Sequence, residues 1–227
     1  MKKIELSLLV IVILLSFTAC KKISNSNTAA ADVYVKAILS GGVPVFGVTE
    51  YVIGSNTMNS VSVHTPDGLT GNLDAYDTSG TSYYREPLAG TSDYSLIPPT
   101  TGEYSFGVTF SNGEEKVVTN VLGSSYLLPA TITALTESAD GQSVTMSWNA
   151  LTGADSFQLS ISKGGTVVYA SQAFTAPLTN SLSIPINLIP TFIAGVYTYE
   201  LDAVKYESAS SNLFQAVSTA TMDVALQ

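Results

Sequence analysis

Gly102-Glu103-Tyr104-Ser105-Phe106-Gly107-Val108-Thr109-Phe110 is the stretch whose reading decides the fold. Large apolar side chains fall on every second residue, with small or polar ones between them. Successive side chains of a strand point to opposite faces, so this period gives one buried and one wet face, as in an antiparallel sheet. The same alternation returns at Val144, Met146 and Trp148, at Phe157, Leu159 and Ile161, and at Tyr197, Tyr199, Leu201 and Ala203. Asp67-Gly68, Asn112-Gly113, Asp140-Gly141 and Gly164-Gly165 separate the runs, and such dipeptides tolerate the positive φ of tight hairpins. No three-turn helical stripe follows residue 31. Many short strands at regular spacing predict an all-β chain of antiparallel β-sandwiches.

Composition narrows the function. The chain has 227 residues, 45% of them hydrophobic and 12% charged, with a net charge of −9. That balance repels phosphates, and no basic run offsets it, so nucleic acid is not an expected partner. One Cys permits no internal disulfide, and one His permits no poly-His metal site. The amino terminus is a short basic segment, Met1-Lys2-Lys3, followed by an apolar run from Leu6 to Phe17. This run is shorter than the roughly 20 residues of a membrane-spanning helix. Residues 1–19 therefore read as a signal peptide.

Phe17-Thr18-Ala19-Cys20 resembles the lipobox of bacterial lipoproteins. The resemblance implies diacylation of the Cys20 sulfur and a membrane partner reached through that lipid. Lys21 stands where Asp would favour the inner membrane, so the resemblance also implies the outer membrane, with either of its faces open. Residues 20–31 are polar or small and read as a flexible tether.

The remaining length suits one large domain or two of about 100 residues each. Gly102-Glu103-Tyr104-Ser105-Phe106 matches Gly195-Val196-Tyr197-Thr198-Tyr199, each after a proline corner at Ile97-Pro98 or Ile189-Pro190. Leu69-Thr70-Gly71 similarly matches Leu151-Thr152-Gly153, each taken to follow the second strand of its half. Two tandem sandwiches are expected, at 32–123 and 129–227, joined by a linker over 124–128. The second resembles fibronectin type III domains. That resemblance makes Trp148 the plug of the core, Phe157 the aromatic of the third strand, and Tyr197 a corner tyrosine whose hydroxyl bonds nearby backbone. The first half lacks the Trp, and there the expectation is an immunoglobulin-like sandwich with Tyr104 at the corner.

Catalytic patterns are sparse. His64 alternates with Val61 and Val63 and is expected in solvent, outside any motif. There is no Gly-x-Ser-x-Gly elbow, no phosphate loop of the Walker type and no His-Glu-x-x-His. Asp67, Asp74 and Asp77 lie in a turn-rich stretch with oxygen ligands of the kind calcium takes, but turn chemistry accounts for Asp67-Gly68 without a metal. No metal and no cofactor is expected. For binding, Tyr83-Tyr84-Arg85 places two tyrosines beside the chain's one Arg. Neighbours on a strand face opposite ways, so at least one tyrosine points away from the core. Lys205 and Tyr206 open a second candidate contact region, the loop over 205–212. The expected function is therefore non-catalytic: a lipid-anchored cell-envelope protein whose sandwiches serve binding, adhesion or presentation to an envelope protein or glycan. The alternative is a carbohydrate-binding accessory of a glycan-uptake system, and the remote alternative is a glycoside hydrolase using paired carboxylates.

Overall fold

The computed structural model describes residues 26–175, 180–189, 193–208, 211 and 213–226. The signal peptide, Cys20 and residues 21–25 lie outside these. The chain first forms seven strands: β1 (Ala29–Ser40), β2 (Val43–Gly54), β3 (Met58–His64), β4 (Thr70–Ala75), β5 (Ser82–Arg85), β6 (Gly102–Phe110) and β7 (Glu115–Leu122). Seven more follow: β8 (Ile132–Glu137), β9 (Ser143–Trp148), β10 (Ser156–Lys163), β11 (Thr166–Ala170), β12 (Ser181–Pro185), β13 (Gly195–Tyr206) and β14 (Phe214–Leu226).

Alternation sets the facing. Along β6 the burial pattern repeats with period two, and Tyr104, Phe106, Val108 and Phe110 all point inward. β9 does the same with Val144, Met146 and Trp148. His64 is exposed at the end of β3. In the second module β8, β9 and β12 form a three-stranded sheet that faces β11, β10, β13 and β14. The first module repeats this plan, with β1, β2 and β5 on one side and β4, β3, β6 and β7 on the other. β4 also pairs with β5 through Asp74 and Ala75, which bridges its two sheets. Both modules are fibronectin type III-like sandwiches, so the looser immunoglobulin-like expectation for the first half is sharpened.

Trp148, Phe157 and Phe174 cluster at the centre of the second module, with ring centroids 5.9–6.4 Å apart. Tyr197 forms the corner: its hydroxyl donates to the carbonyl of Ile193 at 2.7 Å and accepts that residue's N–H at 3.1 Å. Tyr104 holds the equivalent place in β6 and is buried, but among the described residues its hydroxyl makes no such bond. Gly102 and Gly195, two residues ahead of each tyrosine, have φ of 143° and 151°, which a side chain would strain.

Two expectations need correction. Leu69-Thr70-Gly71 enters the fourth strand of its module, whereas Leu151-Thr152-Gly153 lies between the second and third. The two triplets are therefore not equivalent, and their unequal offset reflects different loops. The tether does not extend to residue 31. Asn27 is already buried, bonded to Glu114 at 2.8 Å and Asn112 at 3.1 Å, and β1 starts at Ala29. The stretch 124–128 between the modules is itself packed. Tyr126 meets the Phe46 ring edge-on at 4.9 Å, Leu127 is buried, and Gln215 donates to the carbonyl of Ser125 at 3.4 Å.

The largest departure joins the two modules. β1, the first strand of the first module, pairs in parallel with β14, the last strand of the second, through Val35–Ala216, Lys36–Val217 and Ala37–Ser218. Ala37, Ala216, Ser218 and Ala220 are small and buried along this seam. Eleven strands thereby form one continuous sheet across both modules, in the order β11-β10-β13-β14-β1-β2-β5-β4-β3-β6-β7.

Candidate functional site

The seam has an outer face, away from both cores, and cross-strand register decides what stands on it. Asp32 of β1 lies opposite Tyr51 of β2, Tyr51 opposite Tyr84 of β5, and Tyr84 opposite Asp74 of β4. Tyr34 is opposite Thr49 in the next row. Residues directly opposite share a face, so a tyrosine-rich surface follows from pairing alone. Tyr76 flanks it from beyond β4, and Phe214 closes it from the start of β14. Asp32, Tyr34, Thr49, Tyr51, Tyr76, Tyr84, Glu86 and Phe214 line a groove of about 340 Å³, within the size range of small-ligand sites.

The aromatic rings do not form one flat platform. Tyr76 meets Tyr84 edge-on, with centroids 5.2 Å apart and an interplanar angle of 88°. Tyr34 meets Phe214 at 5.3 Å and 85°. The polar groups of the groove are carboxylates and hydroxyls. Asp32 is buried; its Oδ2 accepts the Phe214 N–H at 2.9 Å, while its Oδ1 has no partner among the described residues. Burial pushes the Asp32 carboxyl up to about 6; the Phe214 N–H pulls it down and the charge of Glu207 pushes it further up. Burial likewise pushes the Tyr34 hydroxyl up to about 12. Glu86 is paired with Lys36. Burial alone would lower the Lys36 ammonium, but the hydrogen bond and charge of Glu86 outweigh it and hold it above its ordinary value.

The three consecutive candidates separate. Tyr83 points inward and is buried, and its hydroxyl donates to the carbonyl of Met58 at 3.0 Å. Tyr84 points outward into the groove. Arg85 turns inward again and grips the Glu50 carboxylate with both arms, Nε to Oε2 at 2.7 Å and Nη2 to Oε1 at 2.5 Å. Glu50 is only 1% exposed, so Arg85 neutralises a buried acid. Its guanidinium lies against Gly71, where a side chain would collide with it. Arg85 therefore serves the fold and is not a free contact residue.

Of the second pair, Lys205 sits half-buried opposite Ala216 and outside the groove lining. Tyr206 packs its ring 5.8 Å from Phe214, shares a 3.2 Å hydrogen bond with Ser156, and donates its backbone N–H to Asp155 at 2.9 Å. Phe214 thus stands between Tyr206 on one side and the groove on the other. Residues 209, 210 and 212 of that loop lie outside the described residues. Asp67 and Asp77 cap their own turns, accepting from Thr65 and from Ser79, and no cluster of metal-ligating side chains forms among the described residues.

Sequence reading missed Asp32, Tyr34, Thr49, Tyr51, Tyr76, Glu86 and Phe214. One signal was present: Asp32, Tyr34 and Lys36 alternate with Val33, Val35 and Ala37, which places an aromatic on the polar face of a strand. That Phe214 would join them could not be read, because nothing local marks β14 as the neighbour of β1.

No family model matches the chain, and no curated protein does. Among solved structures it is similar to a cytokine receptor complex, at 15% identity over 86% of this chain and 96% of that one, with a TM-score of 0.32. It is also similar to a two-domain fibronectin type III segment of chicken tenascin, at 13% identity over 78% of this chain and 92% of that one, with a TM-score of 0.29. Likenesses at this level assign the chain neither a family nor a ligand.

Proposed function

We propose that the chain is a non-catalytic binding protein of the bacterial cell envelope, held at the outer membrane by lipid on Cys20 and presenting two fused sandwiches to a partner. The observation that carries the binding role is the groove. Exposed aromatic surface beside an unpartnered buried polar atom is a feature that folding alone does not explain, and here it is assembled from both modules. The basic, apolar and small-residue pattern of residues 1–20 supports the anchor. With the lipid on Cys20, the five residues 21–25 before Ser26 extend at most about 18 Å, which keeps Ser26 within that reach of the anchor.

The anchor is tested by detergent phase partition. The wild-type protein is expected in the detergent phase and Cys20→Ser in the aqueous phase; unchanged partition of the variant rejects lipidation. The binding role is tested by capture from envelope extracts with the full chain and with Tyr84→Ala. A partner lost with Tyr84→Ala supports the groove, and capture indifferent to it moves the binding surface elsewhere.

A second reading, carbohydrate binding in a glycan-uptake system, draws on the Tyr84 ring in the groove. Retardation on polysaccharide gels that Tyr84→Ala abolishes would favour it. Turnover of chromogenic glycosides that Asp32→Asn abolishes would overturn the non-catalytic reading.

A further inference from the structure

The groove has a chemistry that narrows its ligand. It is lined by Tyr34, Tyr51, Tyr76, Tyr84 and Phe214, with Asp32, Thr49 and Glu86 as its other polar groups. A pyranose stacks best on an open, flat ring face. Within each of the two ring pairs here the rings stand nearly perpendicular, at 88° and 85°, so neither pair offers one flat platform. Ring faces carry negative quadrupole density and attract a cation within about 6 Å of the centroid. Asp32 adds the negative charge of a buried carboxylate, whose Oδ1 is shielded from solvent and has no hydrogen-bond partner among the described residues. The ammonium of Lys36, whose charge reaches Tyr34, is committed to Glu86, and the chain as a whole carries −9.

We propose that this groove is a receptor site for an organic ammonium group, the alkyl- or quaternary-ammonium head of a small molecule, enclosed by the tyrosine and Phe214 rings and neutralised by Asp32. The proposal rests on the reading of the groove as the binding surface and specifies its ligand. The cation supplies the counter-charge that Asp32 lacks, without a hydrogen bond, since a quaternary head has no N–H. A buried carboxylate without a counterion is costly, and an adjacent positive charge offsets that cost and favours the ionised form. Rings on a sheet face need little rearrangement to surround such a head. Because Phe214 arrives on β14 while the other rings come from the first module, the groove closes only when β1 and β14 are paired.

The test is a calorimetric or tyrosine-fluorescence titration of the full chain in a non-ionic, amine-free detergent. The probes are choline and tetramethylammonium, the neutral isostere 3,3-dimethylbutan-1-ol, and methyl glucoside with maltose as saccharide controls. Saturable binding of both ammonium probes is expected, with the isostere weaker by about tenfold or more. Asp32→Asn and Tyr84→Ala should each weaken choline by a similar factor. Tyr76 is 66% exposed, so Tyr76→Ala disturbs the fold least, and it should also weaken choline if the other two variants fail to fold. Equal affinity for the isostere, indifference to Tyr76→Ala, or absence of saturation by either ammonium probe overturns the proposal. Saccharide binding that the same variants abolish would overturn the ammonium assignment while leaving the groove as the binding surface. Envelope capture indifferent to Tyr84→Ala would instead remove the reading beneath it.

Discussion

Replacing Asp32 with Asn should stabilise the protein at neutral pH and not in acid. Asp32 is 7% exposed and keeps one carboxylate oxygen without a donor. Burial, helped by the charge of Glu207 and opposed by the Phe214 N–H, raises its carboxyl from 3.8 to about 6. An acid whose pKa is higher folded than unfolded binds its proton more tightly in the folded state. Its ionisation therefore works against folding: the penalty is absent below about pH 4, grows between pH 4 and 6, and is complete above that. A rise from 3.8 to about 6, at about 1.36 kcal/mol per pKa unit, bounds the penalty at about 3 kcal/mol. Asn retains an oxygen for the Phe214 N–H and places no charge near Glu207. Its amide adds an offset that does not depend on pH, so the quantity to read is the change in the difference between variant and wild type. Urea unfolding of both proteins, followed by far-UV circular dichroism at pH 4 and pH 7.5, measures it. The Asn variant should gain about 1.5–3 kcal/mol relative to wild type between the two pH values. A difference that stays flat would show that Asp32 is not the buried, under-solvated acid described above. A residue that costs stability at its working pH is also what a site retained for binding looks like.

Two further substitutions probe the scaffold. Trp148→Ala empties the centre of the second module, where Trp148 is 4% exposed, and should cost about 3–5 kcal/mol. Trp148→Phe should cost less than half of that, because the indole Nε1 it removes has no hydrogen-bond partner among the described residues. Thermal melting checks both, and an alanine variant within about 1 kcal/mol of wild type would mean that the inward facing of β9 is wrong. Arg85→Ala strands the Glu50 carboxylate, 1% exposed, and should destabilise by about 3–5 kcal/mol. Adding Glu50→Gln should recover part of that loss in chemical denaturation, and no recovery would contradict the ion-pair role.

What was legible in the sequence was local. The period-two runs gave the facing of β6, β9, β10 and β13, and with them the burial of Tyr104, Trp148, Phe157 and Tyr197, because alternation is set by neighbours two residues apart. The split of Tyr83 from Tyr84 followed from the same rule. What failed depended on partners distant in the chain. Arg85 looked like a contact residue because its partner, Glu50, sits 35 residues away in an unmarked part of β2. The tether was drawn too long because Asn27 is held by side chains of the β6–β7 turn. The seam between β1 and β14 joins residues about 180 apart, with small side chains that carry no pattern of their own, so the groove built on it was invisible as a unit even though Tyr84 was singled out.

The seam is what every functional statement about the groove depends on, and cross-linking tests it most directly. Lys36 and Val217 lie opposite each other on the half-buried outer face. Neighbouring strands stand about 4.8 Å apart, within the Cα separation a disulfide accepts. In a Cys20→Ser background, the pair Lys36→Cys and Val217→Cys should oxidise within one chain, lowering the mass by two hydrogens with no loss of melting temperature. Thiols that remain free in the folded monomer under the same oxidation would contradict the fused sheet and, with it, the groove.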